Sequence, residues 1–146
     1  MKKGTKILIV VLVAVAVIAG GAAYTFRPLT FSQAVGGLKA EDIEKIELLD
    51  GSTGIVTPTT KPSDVEEIYN KICSVKLKAA LPENRAGWSR GLRIYVKDAD
   101  GYISYTCNYC FEKSDDYKGR VSTLLFYLDN SGSLASIIDE YMQKLA

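Results

Sequence analysis

Hydrophobic and polar positions alternate along this chain with three different rhythms. The first is no rhythm at all. Ile7 to Tyr24 reads ILIVVLVAVAVIAGGAAY, eighteen residues without a charge, behind Lys2, Lys3 and Lys6. At about 1.5 Å per residue a helix of this length covers roughly 27 Å, close to the hydrocarbon core of a bilayer. Lysines before the run and only Arg27 just after it place the N-terminus in the cytoplasm and the C-terminus outside. Two fates follow, a retained signal anchor or removal by signal peptidase near Gly21-x-Ala23. The length of the run favours the anchor. The first cysteine is Cys73, so no lipobox precedes the domain.

Beyond the run, Thr25 to Leu38 reads as a connector, with one helical turn at Phe31–Val35 ended by Gly36-Gly37. A two-residue period then begins. Ile46 and Leu48 alternate with Lys45 and Glu47, the pattern of a half-buried strand. Asp50 to Gly54 turns the chain, and Ile55–Thr60 returns as a hairpin partner. Pro58 lacks an N–H, which assigns that strand to an edge or a bulge. Ser63-Asp-Val-Glu66 has the form of a capping box. The following helix carries Val65, Ile68, Tyr69 and Ile72 on one face.

Ser74–Ala80 alternates again, with Val75, Leu77 and Ala79 inward, and Pro82–Gly87 is a loop. Leu92, Ile94 and Val96 share a face. Asp98-Ala-Asp-Gly101 makes a turn, and Tyr102–Phe111 is expected as one partner strand. A two-residue turn at Ala99-Asp100 would set Tyr102 opposite Lys97 and Tyr105 opposite Ile94. Glu112–Gly119 is polar and expected to loop out, and Val121–Leu128 is β-prone. Ser133 is expected to cap a closing helix with the stripe Leu134, Ile137, Ile138, Tyr141 and Leu145. The expected organisation is an anchor over residues 1–24, a connector over 25–42 and an extracytoplasmic domain over 43–146. The fold class is α+β, an antiparallel β-sheet with two amphipathic helices on one face.

Composition narrows the function. Removing 23 leader residues from 146 leaves 123, enough for one domain with its own core. Three of the 18 basic residues lie in the leader, so 15 face 17 acidic ones beyond it, a formal charge of −2. That balance argues against nucleic acid as a partner. Histidine is absent, which removes the usual general base and the commonest metal ligand.

Cys107-Asn-Tyr-Cys110 is the motif closest to chemistry. A redox pair wants a helix N-terminus, whereas this motif falls late in an expected strand. An odd separation on one strand points the two thiols to opposite faces. A zinc site needs more ligands than Cys73 can add, so no metal is expected. A structural disulfide is the simpler reading, preferably Cys73 with Cys107, leaving Cys110, and buried free thiols are the alternative. Asp98-Ala-Asp-Gly101 fails as a calcium loop. With Gly101 at the sixth position, the first ligand falls on Val96 and the twelfth on Cys107.

Trp88, with Arg85 and Arg90 nearby, is a candidate for gripping a peptide or a glycan, and the alternative is a core lid. Tyr95 and Tyr102 are candidates for an aromatic binding surface, with ordinary cross-strand packing as the alternative. Glu66-Glu67, Asp115-Asp116 and Asp139-Glu140 read as solvated faces. No serine has a histidine partner, and no motif marks a Ser–Lys dyad. No cofactor is implied.

The segments IEKIELLDGSTG, KPSDVEEIYNKI, AGWSRGLRIYVKDADGYI and IIDEYMQKL resemble a family of small extracytoplasmic domains from clostridial-type Gram-positive bacteria, whose function is unknown. The resemblance spans roughly Ile43 to Leu145. It implies the order hairpin, helix, Gly-Trp loop, Asp-Gly hairpin and terminal helix, behind a signal peptide, lipobox or anchor. This chain departs from the pattern by lacking a lipobox cysteine and by carrying Cys107 and Cys110. The resemblance brings no catalytic residues. The combined expectation is a non-enzymatic, membrane-tethered module for an extracytoplasmic protein, peptide or glycan. A thiol-redox protein using Cys107 and Cys110 and a peptide or glycan sensor are the alternatives.

Overall fold

The computed structural model describes residues 3–80, 89–106, 109–113, 126–128 and 132–146. Helix α1, Lys3–Thr25, contains the uncharged run and buries none of it against the rest of the chain. It is long and apolar enough to cross a membrane, a property it shares with signal sequences.

Three residues separate α1 from the core. Strand β1, Leu29–Thr30, leads directly into α2, Phe31–Ala34. Thr30 caps that turn: its hydroxyl accepts from the Gln33 N–H, and the Gln33 side chain accepts from the Thr30 N–H. This is a capping box, T-x-x-Q, and it lets a single helical turn hold its shape. Phe31 is fully buried and meets Tyr105 edge-on, with ring centroids 6.0 Å apart. The stretch expected as a connector thus supplies Phe31, Ala34 and Val35 to the core. Gly36 and Gly37, at φ 80° and 76°, end the turn in a conformation that only glycine adopts freely. Just before a short 3-10 turn at Ala40–Asp42, the Leu38 carbonyl accepts from the Tyr69 hydroxyl, which pins the segment to the domain.

The fold is α+β, with two antiparallel sheets rather than the single sheet expected. The larger sheet contains β2 (Ile43–Asp50), β3 (Val56–Thr59), β5 (Arg90–Val96), β6 (Tyr102–Thr106) and β7 (Tyr109–Lys113), in the order β3-β2-β5-β6-β7. Pro58 lies in the edge strand β3, where its missing donor costs nothing. The smaller sheet is β1-β4-β8, with β4 at Lys76–Ala80 and β8 at Phe126–Leu128. Helices α3 (Pro62–Cys73) and α4 (Ser133–Leu145) pack against each other and against β2. All four stripe residues of α3 are buried, as are Leu134, Ile138 and Tyr141 of α4.

Several local expectations are corrected. Helix α3 starts one residue before Ser63, with Pro62 in its first turn and Lys61 at the N-cap, because proline's fixed φ suits that position. Helix α4 is preceded by Gly132 in the left-handed conformation, and Ser133 is its first residue rather than its cap. The span Tyr102–Phe111 is not one strand. Strands β6 and β7 run antiparallel with Thr106 opposite Tyr109, so the chain reverses between them. The one-strand argument for Cys107 and Cys110 facing apart therefore lapses. Glu112 and Lys113, expected in a loop, belong to β7.

Candidate functional site

The larger sheet has two unlike faces. Ile46, Leu48, Leu92, Ile94, Ile103 and Tyr105 join the core beneath the helices. Lys45, Glu47, Arg93, Tyr95, Tyr102 and Ser104 occupy the alternate positions and share the other face. The β5–β6 register sets Tyr95 directly opposite Tyr102, two residues away from the pairing expected for a turn at Ala99-Asp100. The turn carries two residues at positive φ, Asp98 at 56° and Gly101 at 98°, and its reversal is centred on Asp98-Ala99. The Tyr95 and Tyr102 rings lie 5.3 Å apart between centroids, tilted by 49°.

Glu47 ties this face together. Its carboxylate accepts from the Lys45 ammonium at 2.9 Å, the Tyr95 hydroxyl at 3.0 Å and the Arg93 guanidinium at 3.4 Å. Partial burial alone would raise the Glu47 carboxyl, but these donors, Lys45 foremost, outweigh it and hold the group below the usual range. The hydrogen bond to Glu47 raises Lys45 in turn. Burial, reinforced by the Glu47 carboxylate, raises the Tyr95 phenol. The Lys45 ammonium sits 3.8 Å from the Tyr95 ring centroid, and the Arg93 guanidinium 5.1 Å from that of Tyr102. The ring faces are thus engaged by each other and by these cations. Among the described side chains, what this face offers a partner is polar, namely two cations around one carboxylate, with tyrosine edges beside them.

Arg90 belongs to a different structure. It donates to Asp50 at 2.8 Å and to Asp139 of α4, and so clamps the closing helix to the end of the sheet. It does not join Tyr95 and Tyr102. The backbone N–H of Ser52 leads the interactions that lower the Asp50 carboxyl, with Thr53 and Arg90 adding to it against partial desolvation. Trp88, Arg85 and Cys107 lie outside the described residues, as does the side chain of Cys110. Cys73 is a free, half-buried thiol whose Sγ is 3.2 Å from the Asn70 carbonyl oxygen.

A cleft that the sequence reading missed opens where β2 begins. Its volume is about 680 Å³. Ile43, Pro62 and Val65 are among its walls, with Glu44, Glu66 and Lys97 around them. The β2–β5 register slips between Ile43 and Lys45, so Glu44 is the extra residue of a bulge. No periodic signal marks a bulge before its partner strand is known.

Among the described residues, no group of three or more His, Cys, Asp or Glu side chains is placed to hold a metal ion. Comparison with protein-family models, with curated proteins and with solved structures finds no match to this chain. Function therefore rests on the residues themselves.

Proposed function

We propose that the chain is a membrane-anchored extracytoplasmic interaction module that binds its partner at the bilayer surface and carries out no catalysis. The observation that supports this reading is the shortness of the tether. Only Phe26–Pro28 lie between α1 and β1, and Phe31 is already in the core. Four residue steps span at most about 14 Å, so the domain stays against the membrane that holds α1. Tyr24, Phe26 and Arg27 are the residue types that settle at a membrane–water interface, and the Arg27 guanidinium lies 4.0 Å from the Tyr24 ring centroid. The lysines before α1 favour an outward-facing domain. The polar sheet face around Glu47 is the binding surface in this reading, because the helices cover the other one.

A photoreactive residue at Ser104, on the Glu47 face, tests the reading in native membranes. A discrete adduct is expected that Arg93→Ala removes and that the same probe at Asn70, exposed on α3, does not form. No adduct, or identical adducts from both positions, would refute it.

A further inference from the structure

We infer that the outer face of the smaller sheet docks on anionic phospholipid headgroups of the bilayer that holds α1, which presupposes the membrane-anchored reading. Strand β1 pairs antiparallel with β4, Leu29 opposite Leu77 and Thr30 opposite Lys76. The Phe31 N–H extends that pairing by donating to the Val75 carbonyl at 2.8 Å. Val75 and Leu77 are buried in the core, so Lys76 and Lys78 alternate to the far face, where both are exposed. Carried one residue outward, the same register sets Lys78 beside Pro28. Three residue steps from Thr25 to Pro28 reach at most about 11 Å, and a paired strand adds roughly 5 Å. The β4 lysines therefore start close to the point where α1 leaves the membrane.

Charge is segregated in the same way. Residues 24–38, 74–80 and 126–128, which contain β1, β4 and β8, hold Arg27, Lys76 and Lys78 and no Asp or Glu. The rest of the chain beyond the leader carries 12 basic residues against 17 acidic ones. Among the described residues, neither Lys76 nor Lys78 has an ion-pair or hydrogen-bond partner. Cations near a surface of anionic lipid each strengthen attachment about fivefold. The tether favours lipid over a soluble polyanion, because it holds the headgroups at a high effective concentration beside this sheet.

The surface shares no residue with the Glu47 face, and its test is separate. Full-length protein is placed in phosphatidylcholine nanodiscs, with or without phosphatidylglycerol, each holding a trace of lipid with a photoreactive headgroup. Adducts are mapped by mass spectrometry. Adducts on residues 74–80 are expected to be at least about fivefold more abundant with phosphatidylglycerol, and high salt should suppress them. The double variant Lys76→Gln, Lys78→Gln should abolish the phosphatidylglycerol dependence. The same loss of charge at Lys61 and Lys144, outside this sheet, should preserve it. Circular dichroism checks that both variants are folded. Equal adducts in the two bilayers, dependence confined to other residues of the domain, or a Lys76/Lys78 variant that keeps it would each overturn the inference while adducts on α1 leave the anchor standing. Absence of adducts on α1 as well would sink the anchored reading and the inference with it.

Discussion

Tyr95 faces Tyr102 across the β5–β6 ladder and donates its hydroxyl to Glu47 on the neighbouring strand. Three adjacent strands are thereby joined on the face that the helices leave free. Glu47 is the shared acceptor, so its removal loosens Lys45, Arg93 and Tyr95 together.

Glu47→Gln is expected to destabilise the domain by about 1–2 kcal/mol at neutral pH, a charge-assisted bond discounted for solvent screening. The pH dependence follows from the direction of each shift. The folded Glu47 carboxyl lies below its ordinary 4.5, so its contribution is full above that value and is lost as pH falls through the folded one. Tyr95 lies above its ordinary 10.0, so its contribution is full below that value and is lost as pH rises through the folded one. Denaturant titrations should show the gap between wild type and Glu47→Gln steady between those limits and closing on the acid side.

Phe31→Ala should cost about 3–5 kcal/mol, the range for a large aromatic removed from a full core. Phe26→Ala, at a residue 46% exposed, should be close to neutral for the domain. Chemical denaturation of the two variants checks whether the first residues after α1 belong to the fold.

Much of the domain was legible from pattern alone. The two-residue period found Ile46 and Leu48, and it paired the face of Leu92 and Ile94 with that of Ile103 and Tyr105, because burial on one side of a sheet enforces alternation. The helical stripe found Val65, Ile68, Tyr69 and Ile72 for the same reason. Phe31 was missed as a core residue because one helical turn is too short to show a period. Thr30 and Gln33, three residues apart, carry the sequence signal of that capped turn. The departure of β4 from the main sheet was invisible, since its partners β1 and β8 are distant in sequence and alternation does not name a partner. The exact pairing of Tyr95 with Tyr102 went with a turn holding both Asp98 and Gly101 at positive φ, which residue type permits but does not dictate. The cleft depended on a register slip, and Arg90 acquired its role only when α4 brought Asp139 to it.

Arg90→Ala should lower the melting temperature by several degrees by freeing α4 from the end of β2. It should leave any adduct formed at Ser104 unchanged, since Arg90 is not part of the Glu47 network. A double-mutant cycle with Asp139→Asn should show coupling between the two positions. Additive effects would mean that the clamp contributes nothing in solution.

Lengthening the tether tests the membrane-proximal placement. Insertion of about 20 Gly/Ser residues between Arg27 and Pro28 adds an r.m.s. reach of roughly 25 Å. The domain should fold unchanged, because its core starts after Pro28. The Ser104 adduct should weaken or disappear, because the domain is no longer confined to the bilayer surface.

The most direct measurement is the side of the membrane on which the domain lies. Ser52 is exposed at the tip of the β2–β3 hairpin, and a Ser52→Cys protein can be treated in intact cells with a membrane-impermeant maleimide, against the parent protein as control. The expected result is labelling of the added thiol without permeabilisation, on a full-length chain that stays with the membrane after carbonate extraction. Labelling only after permeabilisation, or a labelled chain released into the medium without its first 23 residues, would contradict an anchored extracytoplasmic module.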